Sequence, residues 1–291
     1  MDQSLHLSDG RLRRYLPLCV LVPALLAAVL MTVAFFTQYD APETNYFRRG
    51  AVLPVIAGVF AALAAVAGTV LTVRIPRKTL KTDSLPAPIA SLTSAVGFLF
   101  CAIFLGISTV RNGLDWTRVV ALILSLAANA YALTVAFCDL RQESVRNLSV
   151  LLGFTPIFAL IFLCAAHYFD RSLEMNAPCK VVLMLGLLAA MITFTGEIRY
   201  QLGTALPRAY LMLLSCTVAA GALSIPAVPA AYFVGILKGT DYLASAFAVL
   251  GCTLTAALRL YALLNDDAPE STAPTADSSE SGAANKQESD S

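Results

Sequence analysis

Charged and polar side chains inside long apolar stretches are costly, so any chemistry in such a chain is sought there first. In these 291 residues they are few, and they concentrate in 167–210. The first part of that stretch gathers His167, Asp170, Arg171, Glu174, Asn176 and Lys180 into 14 positions, and its far end holds Glu197, Arg199, Gln201 and Arg208. Such groups can hold a polar ligand, or lock helices together by ion pairing. If the chain between Lys180 and Glu197 is helical, the two lie about 25 Å apart, near opposite faces of a bilayer. Glu197 then sits within a turn of the hydrocarbon, where an unpaired carboxylate is unfavourable. Arg199, two positions on, faces elsewhere on a helix. Arg208 and Arg259 are better partners. Arg259 is preferred, because Gly251, Thr255 and Arg259 share a line beside a stripe of small residues. Both a salt-bridged rim and a functional polar cluster fit this end. Asn129, near the middle of its own apolar run, is expected to hydrogen-bond to a neighbouring helix or to line a cavity.

Other chemistry finds little support. His6 and His167 fall near opposite membrane faces and cannot share a metal or a haem, and no HExxH is present. Neither a phosphate-binding GxxxxGK[ST] nor a GxGxxG or GxSxG motif occurs. Without a mid-span lysine there is no candidate for a Schiff base. The seven cysteines are scattered singly, which suits packing better than disulfides or zinc. The sequence therefore nominates no cofactor, no metal and no catalytic residue. Its candidate functional residues are Asn129, Asp170, Asn176, Lys180, Glu197, Arg199, Arg208 and Arg259.

The elements that must position these groups follow from composition. Apolar residues make up 58% of the chain and charged residues 13%, against about 45–50% and 25% in soluble domains. A soluble core of this size cannot hide so much apolar surface, so lipid must solvate part of it. That excludes a cytosolic enzyme or a nucleic-acid binder as the main body. Apolar runs long enough to cross a bilayer occur at 15–37, 51–73, 89–110, 117–138, 148–169, 180–196, 208–224 and 241–264. They do not alternate as barrel strands do, so the expected fold is all-α, a polytopic transmembrane bundle of about eight helices. The seventh is the weakest. Pro226 and Pro229 are expected to end it, which makes 230–237 a short interfacial helix, the reading favoured over a re-entrant turn or the end of a longer, bent seventh helix. Thr155-Pro156 is expected to kink the fifth.

Counting Lys and Arg in the loops gives eleven on the side of the N-terminus and seven on the other. By the positive-inside rule both termini are cytoplasmic. The expected domains are a cytoplasmic segment 1–14, the bundle 15–264 and an acidic tail 265–291. The tail carries seven acids and one lysine and no aromatic residue, a composition that does not order itself. Small residues recur at every fourth position in Ala244, Ala248, Cys252 and Ala256, and again in Ala57, Ala61 and Ala65. Such stripes let helices approach closely, within one chain or between two copies.

The pattern Met175-Asn176-x-Pro178-x-Lys180, then Glu197-x-Arg199, Gly203 and Pro207-Arg208, resembles a group of multi-spanning membrane proteins common in Clostridia-type Firmicutes. Phe36-Thr37-Gln38-Tyr39-Asp40, followed by Gly50 and the second run, is similar to the same group. The resemblance implies a bacterial cytoplasmic membrane and no known activity. Three classes of function remain: an uncoupled small-molecule transporter or channel, a sensor acting through a protein partner, and an intramembrane enzyme. The last is disfavoured because no nucleophile and base can be placed on one face. The lipid bilayer is the expected partner, nucleic acid is not, and the ligand and any homo-oligomer are left open. A continuous polar path would favour transport. A dry core beneath one polar outer pocket would favour sensing.

Overall fold

The structure is a computed structural model that describes residues 3–40, 46–74, 86–141, 151–237 and 239–265. The acidic stretch 266–291 lies outside the described residues. Among the described residues eight helices carry the fold: α1 Gln3–Thr37, α2 Leu53–Arg74, α3 Pro86–Asn112, α4 Trp116–Arg141, α5 Phe154–Phe169, α6 Pro178–Gln201, α7 Pro207–Phe233 and α8 Thr240–Asn265. Seven of them are long and apolar enough to cross a membrane. The exception is α5, whose 16 residues reach about 24 Å. This is an all-α multi-pass bundle. A two-residue antiparallel ribbon, β1 Tyr39–Asp40 with β2 Tyr46–Phe47, joins α1 to α2. It is held by Phe35, Tyr39 and Phe47, whose ring centroids lie 5.0–5.2 Å apart.

Burial sorts the helices. In α8, 67% of the span is buried inside the chain, whereas in α2 the figure is 22%, so α8 is central and α2 is at the rim. The small-residue stripe explains the central place. Ala244, Ala248, Cys252 and Ala256 are all buried, which turns the stripe into the bundle. Against α3 the approach is backbone to backbone: a Cβ added at Gly97 would lie 2.7 Å from Gly251 Cα. Only two glycines permit that distance. On α1 and α2, Leu25, Val29, Val55, Leu63 and Val66 are exposed, an outer surface suited to lipid chains.

Three elements depart from the sequence expectations. Pro226 and Pro229 do not end α7, which continues to Phe233. An interior proline costs an isolated helix about 3 kcal/mol. Here Ala227, Val228, Ala230 and Ala231 around it are packed at 0–3% exposure, and that burial holds the last turns. There is no separate interfacial helix at 230–233, and residues 234–237 form the turn that follows. Pro156 does not kink α5 either. It falls in the first turn, after Gly153, where its missing N–H forfeits no intrahelical bond. Finally, helix α1 begins at Gln3, so the expected segment 1–14 is continuous with the first helix from that residue on.

Successive helices run antiparallel, and the start of α1 and the end of α8 fall at one end of the bundle. Val20 of α1 and Leu260 of α8 belong to the same buried cluster there. The two ends are called below the termini end and the cleft end.

Candidate functional site

The cleft lies where the last turns of α3 and α5 meet the first turns of α4 and α8. It is half open and encloses about 1130 Å³. Its floor is apolar, with Leu105, Ala121 and Leu163, and its walls include Trp116, Phe162 and Tyr242. A concave apolar surface with a few convergent polar groups is the usual form of a small-ligand site.

Each polar group in it is placed by local chain geometry. Asp115 caps the start of α4, its carboxylate accepting the Thr117 N–H at 3.1 Å and the Thr117 hydroxyl at 2.9 Å. Asp170 closes a turn after α5. It accepts the Ser172 N–H at 2.8 Å, the Ser172 hydroxyl at 2.7 Å and the Tyr242 hydroxyl at 2.8 Å. Burial alone would push the Asp170 carboxyl up. Those donors and the Lys180 ammonium outweigh it and hold the carboxyl below its ordinary range. Lys180 itself is 1% exposed. It donates to the carbonyls of Asp170 at 2.6 Å and Leu173 at 3.4 Å, so it braces the loop from behind. On the opposite wall α7 ends in a Schellman turn. Gly235, at φ +83°, donates its N–H to Tyr232, and Ile236 donates to Ala231. That turn brings Asp241, in the first turn of α8, to the cleft. Arg118 Nε donates to Asp241 Oδ2 at 3.1 Å. Asp241 Oδ1 is buried and meets no donor among the described residues. Beneath, His167 is 2% exposed, bonds Ser245 at 2.6 Å and packs tilted against Tyr242 at 4.4 Å between centroids.

At the termini end a second ionic group is buried, and Nε and Nη1 of its arginine, Arg259, meet no acceptor among the described residues. Arg259 is fully buried, and its Nη2 donates to Glu197 at 3.0 Å, Asp139 at 2.9 Å and Ser91 at 3.0 Å. Glu197 also accepts from the Tyr210 hydroxyl and from Gln201 at 3.2 Å. The guanidinium lies 5.7 Å from the centroid of the Tyr200 ring. Five helices, α3, α4, α6, α7 and α8, meet in this one cluster, which works as a strut.

The residues nominated by the sequence divide between these ends. Asp170 lines the cleft and Lys180 braces it. Glu197 and Arg259 form the pair expected of them. Arg199 is exposed on the other face of α6, Arg208 is half-buried in the first turn of α7, and Asn176 is exposed in the loop before α6. Asn129 is half-buried on α4 and makes no side-chain hydrogen bond among the described residues. Sequence reasoning missed Asp139, which lies one position beyond the apolar run 117–138. It also missed Arg118, Asp241 and Trp116, which sit at helix starts where charge and aromatics look interfacial. The available signal was that Trp116, Arg118 and Asp241 all open a helix on the same side of the bundle.

Fold and site together define a multi-pass α-helical membrane protein with a polar cleft at one end. No family model, curated protein or solved structure matches the chain.

Proposed function

We propose that this protein is a membrane sensor that binds a small ligand in the cleft and passes the event along α8. The observation that carries the reading is the half-open cleft of about 1130 Å³ over an apolar floor. Beneath that floor the centre of the bundle is filled by Phe98, Cys101, Leu160, Leu183, Leu187 and Phe194, all buried. Packing of that kind favours reception over passage. One helix serves both ends. Through Asp241, Tyr242 and Ser245, α8 reaches the cleft, and through Thr255 and Arg259 it reaches α3, α4 and α6. A ligand that shifts the first turn of α8 therefore acts on a helix clamped at its far end, and a protein partner reads the movement there. The basic bias of the loops supports cytoplasmic termini and a cleft on the outer face. The resemblance to the Clostridia-type group supports a bacterial cytoplasmic membrane.

Two measurements test this reading. Asn112→Cys at the cleft should react in intact cells with a membrane-impermeant maleimide, while Arg141→Cys should react only after permeabilisation. The reverse would overturn the orientation. Trp116 is the only tryptophan in the chain, so its fluorescence reports cleft occupancy. In lipid nanodiscs, 4-phenylbutylamine, 4-phenylbutanol and 4-phenylbutyrate offer one apolar body with three charges. At least one should shift the emission saturably, and Ala166→Phe, which fills a cleft wall, should abolish the shift. No saturable shift with any of the three, or a shift that survives Ala166→Phe, would overturn ligand binding in the cleft.

A further inference from the structure

We infer that the ligand of the cleft is a cationic amine on an apolar body, which its ammonium anchors to Asp241. The inference rests on the cleft being a binding site, as proposed above, and adds the charge of what it binds. Among the described residues of the lining, Asp115, Asp170 and Asp241 are acids, and Arg118 and His167 are the basic residues. Two of the acids are occupied by the chain itself. Asp115 caps α4, and Asp170 takes the Ser172 and Tyr242 donors. Asp241 is different. Arg118 reaches only Oδ2, and Oδ1 is buried without a donor. A buried acceptor left unmade is unfavourable, and a charged one more so. The Asp241 side chain keeps a quarter of its exposure and lines the cavity, so the negative charge that Arg118 leaves uncompensated faces the cleft and selects a positive partner.

The walls point the same way. Trp116 and Tyr242 line the same cavity as Asp241, so the cavity that would take an ammonium also carries aromatic rings, the side chains to which cations are attracted. Phe162 stands edge-on to Trp116, with 6.4 Å between ring centroids, and extends the apolar wall for the body of the ligand. Among the described residues of the lining an anionic ligand finds no free cation: Arg118 is engaged with Asp241 and His167 is bonded to Ser245, while Lys180 is turned to backbone carbonyls behind the loop.

The charge series reads this directly in the wild-type chain. By Trp116 fluorescence, 4-phenylbutylamine should bind at least tenfold more tightly than 4-phenylbutanol, and 4-phenylbutyrate most weakly. Asp241→Asn should cut the preference of amine over alcohol severalfold, and a melting transition like that of wild type shows that the variant is folded. Equal binding of amine and alcohol, or tighter binding of the carboxylate, would overturn the amine assignment while leaving the cleft a binding site. So would an unchanged preference in Asp241→Asn. Because the wild-type series stands alone, the inference is decided even if that variant does not fold.

Discussion

The two ends of the bundle use the same ingredients, an arginine among carboxylates, and make different things of them. At the termini end Arg259 is 0% exposed and one of its nitrogens serves Glu197, Asp139 and Ser91. At the cleft end the Arg118 and Asp241 side chains keep about a quarter of their exposure and share one contact. Burial is the difference. In a dry site, removing one partner strands a charge, and the loss is about 3–5 kcal/mol. Beside water the same pair contributes about 0–1 kcal/mol, and its groups remain free to serve a ligand.

The largest effect should follow from removing Arg259. Arg259→Gln leaves two carboxylates facing each other without their cation, and should lower stability by about 3–5 kcal/mol. Glu197→Gln leaves Arg259 still paired with Asp139, and should cost about 1–3 kcal/mol. The double variant should cost clearly less than the two together, read from denaturant unfolding in detergent. Additive costs would show that the pair does not act as a unit, and the contrast between the ends would lose its basis.

Helix number, the inward stripe on α8 and the Glu197–Arg259 pair were legible in the sequence. Each rests on a local rule: run length, small-residue spacing, and the cost of a lone carboxylate near hydrocarbon. What was not legible depends on tertiary placement. Asp139 reads as an ordinary interfacial charge at a helix end, and only the packing of α4 against α3 brings it within reach of Arg259 on α8. Pro226 and Pro229 read as a stop, because the rule describes a helix without neighbours. The cleft is assembled from four helix ends and two loops far apart in the chain, and no window of sequence contains it.

A smaller effect lies midway along α8, where the two ends communicate. Gly97→Ala would place a methyl 2.7 Å from Gly251 Cα and 2.8 Å from the Phe247 carbonyl. Both obstacles are backbone, so α3 and α8 must separate, at about 1–3 kcal/mol. If α8 couples the ends, this variant should also weaken the Trp116 response to ligand. A stability loss with an unaltered response would uncouple them.

Acid sensitivity separates the ends further. The Asp170 carboxyl is held low in the folded protein. It therefore stabilises the fold above its unfolded pKa of about 4, and that contribution fades as pH falls through the lower folded value. Asp170→Asn should thus melt below wild type at neutral pH, and the gap should narrow as pH falls below about 4. A gap that holds constant into acid would show that Asp170 acts by shape alone.

The smallest stability effect belongs to Arg118, and it sharpens the comparison most. Arg118→Gln should cost less than about 1 kcal/mol, because the pair it breaks is part-solvated and both groups retain access to water. Its effect on binding should be the larger one. Without the guanidinium, Asp241 has lost the donor on Oδ2 as well as lacking one on Oδ1. The carboxylate then carries its whole charge into the cleft, so 4-phenylbutylamine should bind more tightly than to wild type and 4-phenylbutanol should bind the same. A loss of 3 kcal/mol or more would mean that this end is a strut like the other. Weaker amine binding would mean that Arg118 holds Asp241 in the orientation the ligand needs, and that their pair, not the orphaned oxygen, is the recognition element.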